Sequence, residues 1–359
     1  MARAGFMIYG AYGYTGELIA RSALERGHRP LLAGRDPRRL AALARQLDLP
    51  SVVLGLDDPA ALARALETVH VVCHAAGPFV RTAQPMLVGC LQAGTSYVDI
   101  TGEIPVFQAV FQLHARAVQR GVALLPGAGF DVVPTDCLAR FVADAVPEAT
   151  ELELALNVET EPSRGTLRSS FEGSLRGNFV RRDGVLQPIP FGQGLHGVRF
   201  TDGVRPVLPV PWGDLETAFQ TTRISNIRVS MAIPWLAAKL LGLAAPLVPR
   251  LLALAERRLV RRAVLAAIDL RPDGPDARAR GSGRAEVWAR AAAPDGRMRE
   301  AWLEIADGYA FTAESAVLAV EALLAEPRRG AFTPAGAFGA DFVLGVRGSR
   351  RFETLPEPE

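Results

Sequence analysis

Cysteine is scarce in this chain of 359 residues. Cys73, Cys90 and Cys137 stand far apart and lack metal-ligand spacing, so no metal site is expected. An odd, sparse set argues against a disulfide framework and fits a reducing cytoplasm. Charge of one sign is also missing: the formal net charge is +2, too near neutral to mark a nucleic-acid binder. There is no internal repeat. The start, Met1 to Gly5, runs straight into an apolar run and leaves no room for a signal peptide. No uninterrupted hydrophobic run is long enough to span a bilayer. Ile233 to Ala267 comes nearest, but Lys239 interrupts it and Pro234, Pro246 and Pro249 break any single helix. The stretch reads as a buried helical pair or a homodimer interface. The competing reading is a greasy surface meeting membrane or lipid substrate, flanked by Arg257, Arg258, Arg261 and Arg262. On that second reading a cytoplasmic protein would sit peripherally at a membrane.

What is present is a globular composition, 49% hydrophobic and 22% charged, long enough for two domains. The organising stretch comes first. Phe6-Met7-Ile8-Tyr9 is a short strand, Gly10 to Gly16 carries a G-x-x-G-x-x-G spacing, and Glu17 to Arg26 has helical periodicity. Gly10 permits a tight turn, Gly13 lets a pyrophosphate approach the backbone, and Gly16 lets the helix pack on the strand. The helix N-terminus then offers N–H groups and partial positive charge to phosphate. His28 to Ala33 reads as a second strand, followed by Gly34-Arg35. An NAD-preferring site places a carboxylate there for the ribose hydroxyl; an arginine suits a 2′-phosphate. NADP is therefore the expected cofactor. Asp36, one place later, is expected to cap the helix starting at Pro37.

Strand and helix alternate to about residue 146: strands at Ser51–Leu56, Val69–Ala75, Tyr97–Ile100 and Val122–Leu125, helices at Ala60–Glu67, Thr82–Ala93 and Val106–Arg120. The fold class expected is α/β, a Rossmann-type doubly wound parallel sheet. After Pro147 the pattern changes. Thr150–Val158 alternates, Thr166–Asn178 looks helical, and hairpins are expected around Asp183-Gly184, Asp202-Gly203 and Asp295-Gly296. Ile224–Met231 is a further strand. This gives a second, mixed α/β domain at 147–308 for substrate and dimerisation. An amphipathic helix at Tyr309–Leu324 returns the chain to the first domain, which comprises 1–146 and about 309–350. Arg271–Gly283 reads as a loop and the tail after Gly348 as frayed.

Together the motifs resemble the saccharopine dehydrogenase-like NADP-binding proteins, and within them the bacterial trans-acting enoyl reductase branch. They are Tyr9 to Gly16, Ala33-Gly34-Arg35, Ala75-Ala76-Gly77-Pro78-Phe79, Tyr97 to Glu103, Gly127 to Pro134, Asp307-Gly308-Tyr309 and Thr333 to Phe342. The resemblance implies a Rossmann domain, NADP, and action on double bonds of polyketide-derived lipid chains.

The cofactor residues expected are Gly10, Ala11, Gly13, Tyr14, Thr15, Gly16, Gly34, Arg35, Ala76, Gly77 and Pro78. Enoyl reduction delivers hydride to the β carbon and a proton to the α carbon, while donors stabilise an enolate. Tyr97, His74 and Asp131 are the catalytic candidates; Thr101 and His196 are further donors. No Tyr-x-x-x-Lys pair supplies a conventional tyrosine acid. Asp99, Glu103 and Asp131 at strand ends read either as substrate or proton handlers, or as caps of loops and of the helices at Pro105 and Pro134. His114 reads as a packed core histidine, His28 as exposed, and Arg223 and Arg228 as a solvated strand face. Cys73 has no base partner. The function expected is an NADPH-dependent oxidoreductase acting on an apolar, lipid-like substrate. Two readings compete: a saccharopine-type amino-acid dehydrogenase, and a non-catalytic, membrane-associated NADP-binding adaptor.

Overall fold

The computed structural model describes residues 4–159, 162–174, 177–244, 257–272, 274–276, 278 and 283–355. The chain divides into two compact units, Met1–Cys137 with Gly308–Arg347, and Leu138–Asp307 with Gly348–Glu359.

The first unit is a seven-stranded parallel sheet with helices on both faces. In chain order it contains β1 (Ala4–Tyr9), α1 (Tyr14–Glu25), β2 (Leu31–Gly34), α2 (Pro37–Leu47), β3 (Ser51–Val53), α3 (Pro59–Leu66) and β4 (Val69–His74). It continues with α4 (Phe79–Ala93), β5 (Ser96–Asp99), α5 (Ile104–Gln112), α6 (His114–Arg120) and β6 (Ala123–Leu125). α7 (Val133–Ala145) crosses the division between the units. The strand order is β15-β6-β5-β4-β1-β2-β3, where β15 is Gly330–Ala331. The order reverses between β1 and β4, the switch point where doubly wound sheets bind ligands. Alternation along β1 builds both cores. Phe6 and Ile8 meet Ile19 and Ala23 of α1, Leu40 of α2, and Val317 and Val320 of α12 (Gly308–Ala325). Met7 and Tyr9 meet Leu62 of α3, Met86 and Cys90 of α4, and Val110 of α5. Each fully buried side chain of this size contributes about 1.5–3 kcal/mol.

The second unit holds β7 (Glu151–Val158), α8 (Arg164–Ser174), β8 (Asn178–Arg182), β9 (Val185–Ile189), β10 (His196–Phe200), β11 (Gly203–Pro209) and α9 (Asp214–Thr222). β12 (Asn226–Ala232), α10 (Trp235–Ala244), α11 (Arg258–Asp269), β13 (Arg284–Ala292), β14 (Met298–Ala306) and β16 (Arg350–Phe352) complete it. Its main sheet runs β10-β11-β12-β7-β13-β14-β16, with β8 on β12 and β9 on β8; β12 and β7 are parallel. The sheet coils. Trp302 of β14 donates its indole N–H to the Arg199 carbonyl of β10 at 2.8 Å, and Thr201, just past β10, bonds Glu286 of β13 at 2.9 Å.

Several expectations change. Within the tail read as frayed after Gly348, Arg350–Phe352 is a strand, Phe352 pairing with Trp302 at the sheet edge; the last four residues lie outside the described residues. The helix expected at Tyr309–Leu324 is not amphipathic: α12 is buried along most of its length, in the core built by α1 and β1. The helix expected at Val106–Arg120 is two, broken at Leu113. Arg223 is off the strand; it ends α9 in a left-handed conformation, φ 61°. His28 is half-buried and ion-paired to Glu321 at 2.7 Å. His114 is exposed, bonded to the β15 backbone instead of packed in the core. The loop read at 271–283 falls partly outside the described residues, as does the middle of 233–267.

Candidate functional site

The site is built from loops at the carboxyl ends of the first unit's strands. Gly10 takes φ +84°, a conformation side chains avoid, and a Cβ there would stand 2.8 Å from the Ala76 Cβ. The loops after β1 and β4 therefore touch. A Cβ at Gly16 would lie 2.2 Å from the Gly10 carbonyl, so only glycine lets α1 press onto its strand. Gly13 is the N-cap of α1, and no side chain caps this helix. A Cβ at Gly13 would crowd the Gly10 oxygen at 3.2 Å. A glycine cradle under an uncapped helix N-terminus fits a pyrophosphate.

The corner after β2 is built around Tyr12. Its ring lies on Gly34, where a Cβ would stand 2.4 Å from the ring edge. The Tyr12 hydroxyl accepts from the Asp36 N–H at 3.2 Å; Arg39 stacks over the ring at 4.9 Å and donates to the Tyr12 carbonyl at 3.1 Å. Asp36 caps α2, accepting from Arg38 and Arg39 N–H at 2.9 and 3.0 Å, as its position predicts. The side chains of Arg35 and Arg38 are exposed and make no hydrogen bond or ion pair among the described residues. The carboxylate that would read a bare ribose is thus committed to helix capping, and a guanidinium stands uncommitted. That donor set fits a phosphorylated ribose.

The loops after β4, β5 and β6 are locked by buried polar groups. His74 is fully buried, which pushes its imidazole down to about 3 and keeps it neutral. Thr82 donates its hydroxyl proton to the Ala76 carbonyl at 2.6 Å, so His74 Nε2, 3.0 Å from that oxygen, is the donor to it. This relay holds the Ala76-Gly77-Pro78 loop, whose Gly77–Pro78 bond is cis. Tyr97 is also fully buried and donates to Asp99 Oδ2 at 2.5 Å. The other Asp99 oxygen accepts from Thr101 and Gly127 N–H at 3.0 and 2.8 Å, joining the loops after β5 and β6. Burial raises Asp99 to about 6 against the pull of these three donors. Tyr97 and His74 thus lie inside the sheet, under the loops they were expected to serve as donors.

Glu103 does not cap the helix at Pro105. Its two oxygens instead accept from the Phe79 and Val80 N–H groups at 3.0 and 2.9 Å, filling the N-terminus of α4. Asp131 stands beside it. Its carboxyl packs against Gly102, where a Cβ would be 2.8 Å from Oδ2, and makes no hydrogen bond among the described residues. Burial first, and the Glu103 charge second, raise it to about 6, while part of the residue remains exposed. Two residues escaped the sequence reading of the site. Thr82 gave only the signal of a hydroxyl in a helix's first turn. Tyr309, singled out only as part of a motif, sets its ring edge-on to Tyr14 at 5.2 Å, beside the cradle.

In the second unit, His196 and Arg228 converge on Glu153, at 2.8 and 3.4 Å, with Arg290 at 3.2 Å. Burial pushes Glu153 up, but these partners bring it below the usual carboxylate range. His196 and Arg228 are therefore tied into an ion-pair row across β12, β7 and β13. Among the described residues, no group of three His, Cys, Asp or Glu is arranged to hold a metal. One described helix, α12, is long and apolar enough to cross a membrane, and 61% of it is buried inside the fold.

Comparison with known proteins agrees with this geometry. Residues 6–125 match the family described as Saccharopine dehydrogenase NADP binding domain. The chain is 32% identical over 163 residues to a protein named Trans-acting enoyl reductase from Mycobacterium ulcerans, covering 42% of this chain and 39% of that one. It is 26% identical over 215 residues to the Mus musculus Saccharopine dehydrogenase-like oxidoreductase, covering 51% of this chain and 50% of that one. The match thus spans half or less of these relatives' lengths. The fold is that of apo saccharopine dehydrogenase (L-Glu forming) from Saccharomyces cerevisiae, with a TM-score of 0.62 over 97% of this chain and 99% of that one, at 13% identity.

Proposed function

We propose, from the premise that residues 6–125 are a saccharopine dehydrogenase NADP binding domain, that this protein is an NADPH-dependent reductase of an activated carbon–carbon double bond in an apolar, lipid-like substrate. The observation that carries the reading is the uncapped glycine cradle at α1 together with the uncommitted Arg35. The name of the mycobacterial relatives supports the enoyl substrate class.

Gly10, Ala11, Gly13, Tyr14, Thr15 and Gly16 hold the pyrophosphate in this reading, and Gly34 and Arg35 the phosphorylated ribose. Ala76, Gly77 and Pro78 border the nicotinamide, their loop fixed from beneath by Thr82 and His74. The bound dinucleotide supplies a hydride to the β carbon. The π pair then moves onto the carbonyl oxygen, and a proton must reach the α carbon. Asp131 is the residue we assign as proton source. It is partly accessible, has no competing hydrogen bond among the described residues, and holds its proton to about pH 6. The neighbouring Glu103 charge favours that protonated form.

The test is NADPH oxidation followed with enoyl thioesters of increasing chain length, beside NADP reduction with dicarboxylic secondary amines of the saccharopine type. Consumption of the enoyl thioester supports the proposal. Turnover of the amino-acid substrate alone overturns the substrate class. NADPH binding without any turnover marks a non-catalytic adaptor, and no NADPH uptake at all overturns the whole reading.

A further inference from the structure

Across the main sheet of the second unit runs a row of charge that the reductase reading does not use. Arg228 of β12, Glu153 of β7 and Arg290 of β13 stand in register on adjacent strands. Leu152, Leu154, Ile227 and Val229 are buried on the opposite face, so period-two alternation puts the three charges on one face. His196 of β10 reaches the same carboxylate. Both Glu153 oxygens are taken: Oε1 by His196 at 2.8 Å and Arg228 at 3.4 Å, Oε2 by Arg290 at 3.2 Å. His196 Nδ1 meets the Gly194 carbonyl at 2.8 Å. An acceptor therefore stands at each ring nitrogen, which favours the imidazolium. Glu153, foremost, raises the histidine above its usual value.

Depth separates the two signs. The Glu153 side chain is 10% exposed, whereas those of His196, Arg228 and Arg290 are 31%, 43% and 39% exposed. Three cations thus cover one acid. Glu300 of β14 stands next in the row, opposite Arg290, and forms no ion pair with it among the described residues. Positive charge stays in excess even with Glu300 counted. Each guanidinium gives Glu153 a single nitrogen and makes no other hydrogen bond among the described residues, which leaves most of its five donors open. A stitch between strands needs one cation for its acid, and the surplus suits a second anion lying over the first. We propose that Arg228 and Arg290, backed by His196, bind a small oxyanion, the carboxylate or phosphate group of a ligand. Such a site belongs to the second unit alone and is independent of the dinucleotide cradle.

The experiment follows the ring signals of the five histidines of the full chain by NMR. Inorganic phosphate and butyrate are titrated separately at constant ionic strength, and His196→Gln assigns the His196 signal. That signal is expected to move saturably with at least one of the two, and the one that moves it identifies the group the site takes. Arg228→Gln and Arg290→Gln, made singly, leave Glu153 two cations each. Either should raise the half-saturating concentration about tenfold, as for a lost charge-assisted hydrogen bond. Thermal unfolding shows that these variants fold. Arg228→Lys keeps the charge without the fork and should weaken binding less than Arg228→Gln. A His196 signal unmoved by both anions would overturn the site. So would saturation at the same concentration in wild type and in the Arg228 and Arg290 variants.

Discussion

At the scale of single residues, the proposed function places its chemistry on Arg35 and Asp131, and each is conspicuous for making no hydrogen bond among the described residues. Arg35→Ala should weaken NADPH binding by about 1.5–3 kcal/mol, the worth of charge-assisted hydrogen bonds, and leave NADH nearly unchanged. Titration of both dinucleotides checks this; equal losses would show that Arg35 does not read the phosphate. Asp131→Asn keeps the shape and removes the proton. It should lower kcat at least about a hundredfold for enoyl substrate, as expected for losing a general acid, with NADPH affinity retained. Arg35 was legible in the sequence because position alone selects it: it stands where β2 ends. Tyr97 and His74 lie deeper than the sequence suggests, because strand ends carry donors both above and below the loop. Only burial separates them, and period-two alternation does not say how far a strand continues under its loop. The pairing of Thr82 with His74 spans β4, a loop and the first turn of α4, which no local pattern encodes.

At the scale of elements, the strand–turn–helix at the start was readable in kind, although α1 begins at Tyr14 and not at Glu17, inside the glycine spacing; Gly10 and Gly16 are required by distances that a side chain would violate. Gly16→Ala would push its methyl into the Gly10 carbonyl, 2.2 Å away. We expect loss of NADPH binding and a fall in stability of about 1–3 kcal/mol, as for overpacking a tight contact, measured by denaturant unfolding. Elements held by distant partners were harder to see. β15 is only two residues, and its partner β6 lies two hundred positions earlier in the chain. β16 looked like a loose tail because three residues show no usable alternation; pairing with β14 creates it. α12 hid its buried character behind a scatter of small and polar residues. Thr312 and Ser315 satisfy themselves on the Gly308 and Ala128 carbonyls and so enter the core without penalty.

At the scale of the whole molecule, buried carboxyl groups set the response to pH. Asp99 and Asp131 are raised to about 6 and Glu286 to about 7, in each case chiefly by burial. A raised value means the fold prefers the protonated acid. Stability from these groups is complete below about pH 4, the unfolded range, and declines as pH rises through about 6 to 7. These carboxyl groups alone lower stability between about pH 4 and 7, while His74, lowered to about 3 by burial, acts in the opposite sense up to about pH 6.5; a titration of stability against pH reads the sum. Glu286→Gln should flatten the upper part of that slope; an unchanged profile would show that Glu286 is not among its causes. Glu103 has a consequence of another kind. Across the switch point two helices, α1 and α4, begin at neighbouring strand ends, and each would welcome a diphosphate. By seating its own carboxylate on α4, the protein leaves α1 as the open one of the two. In the proposed function a dinucleotide would then dock in one sense, adenosine toward Arg35 and reducing ring toward Asp131, and a back-to-front passenger would be turned away before chemistry begins.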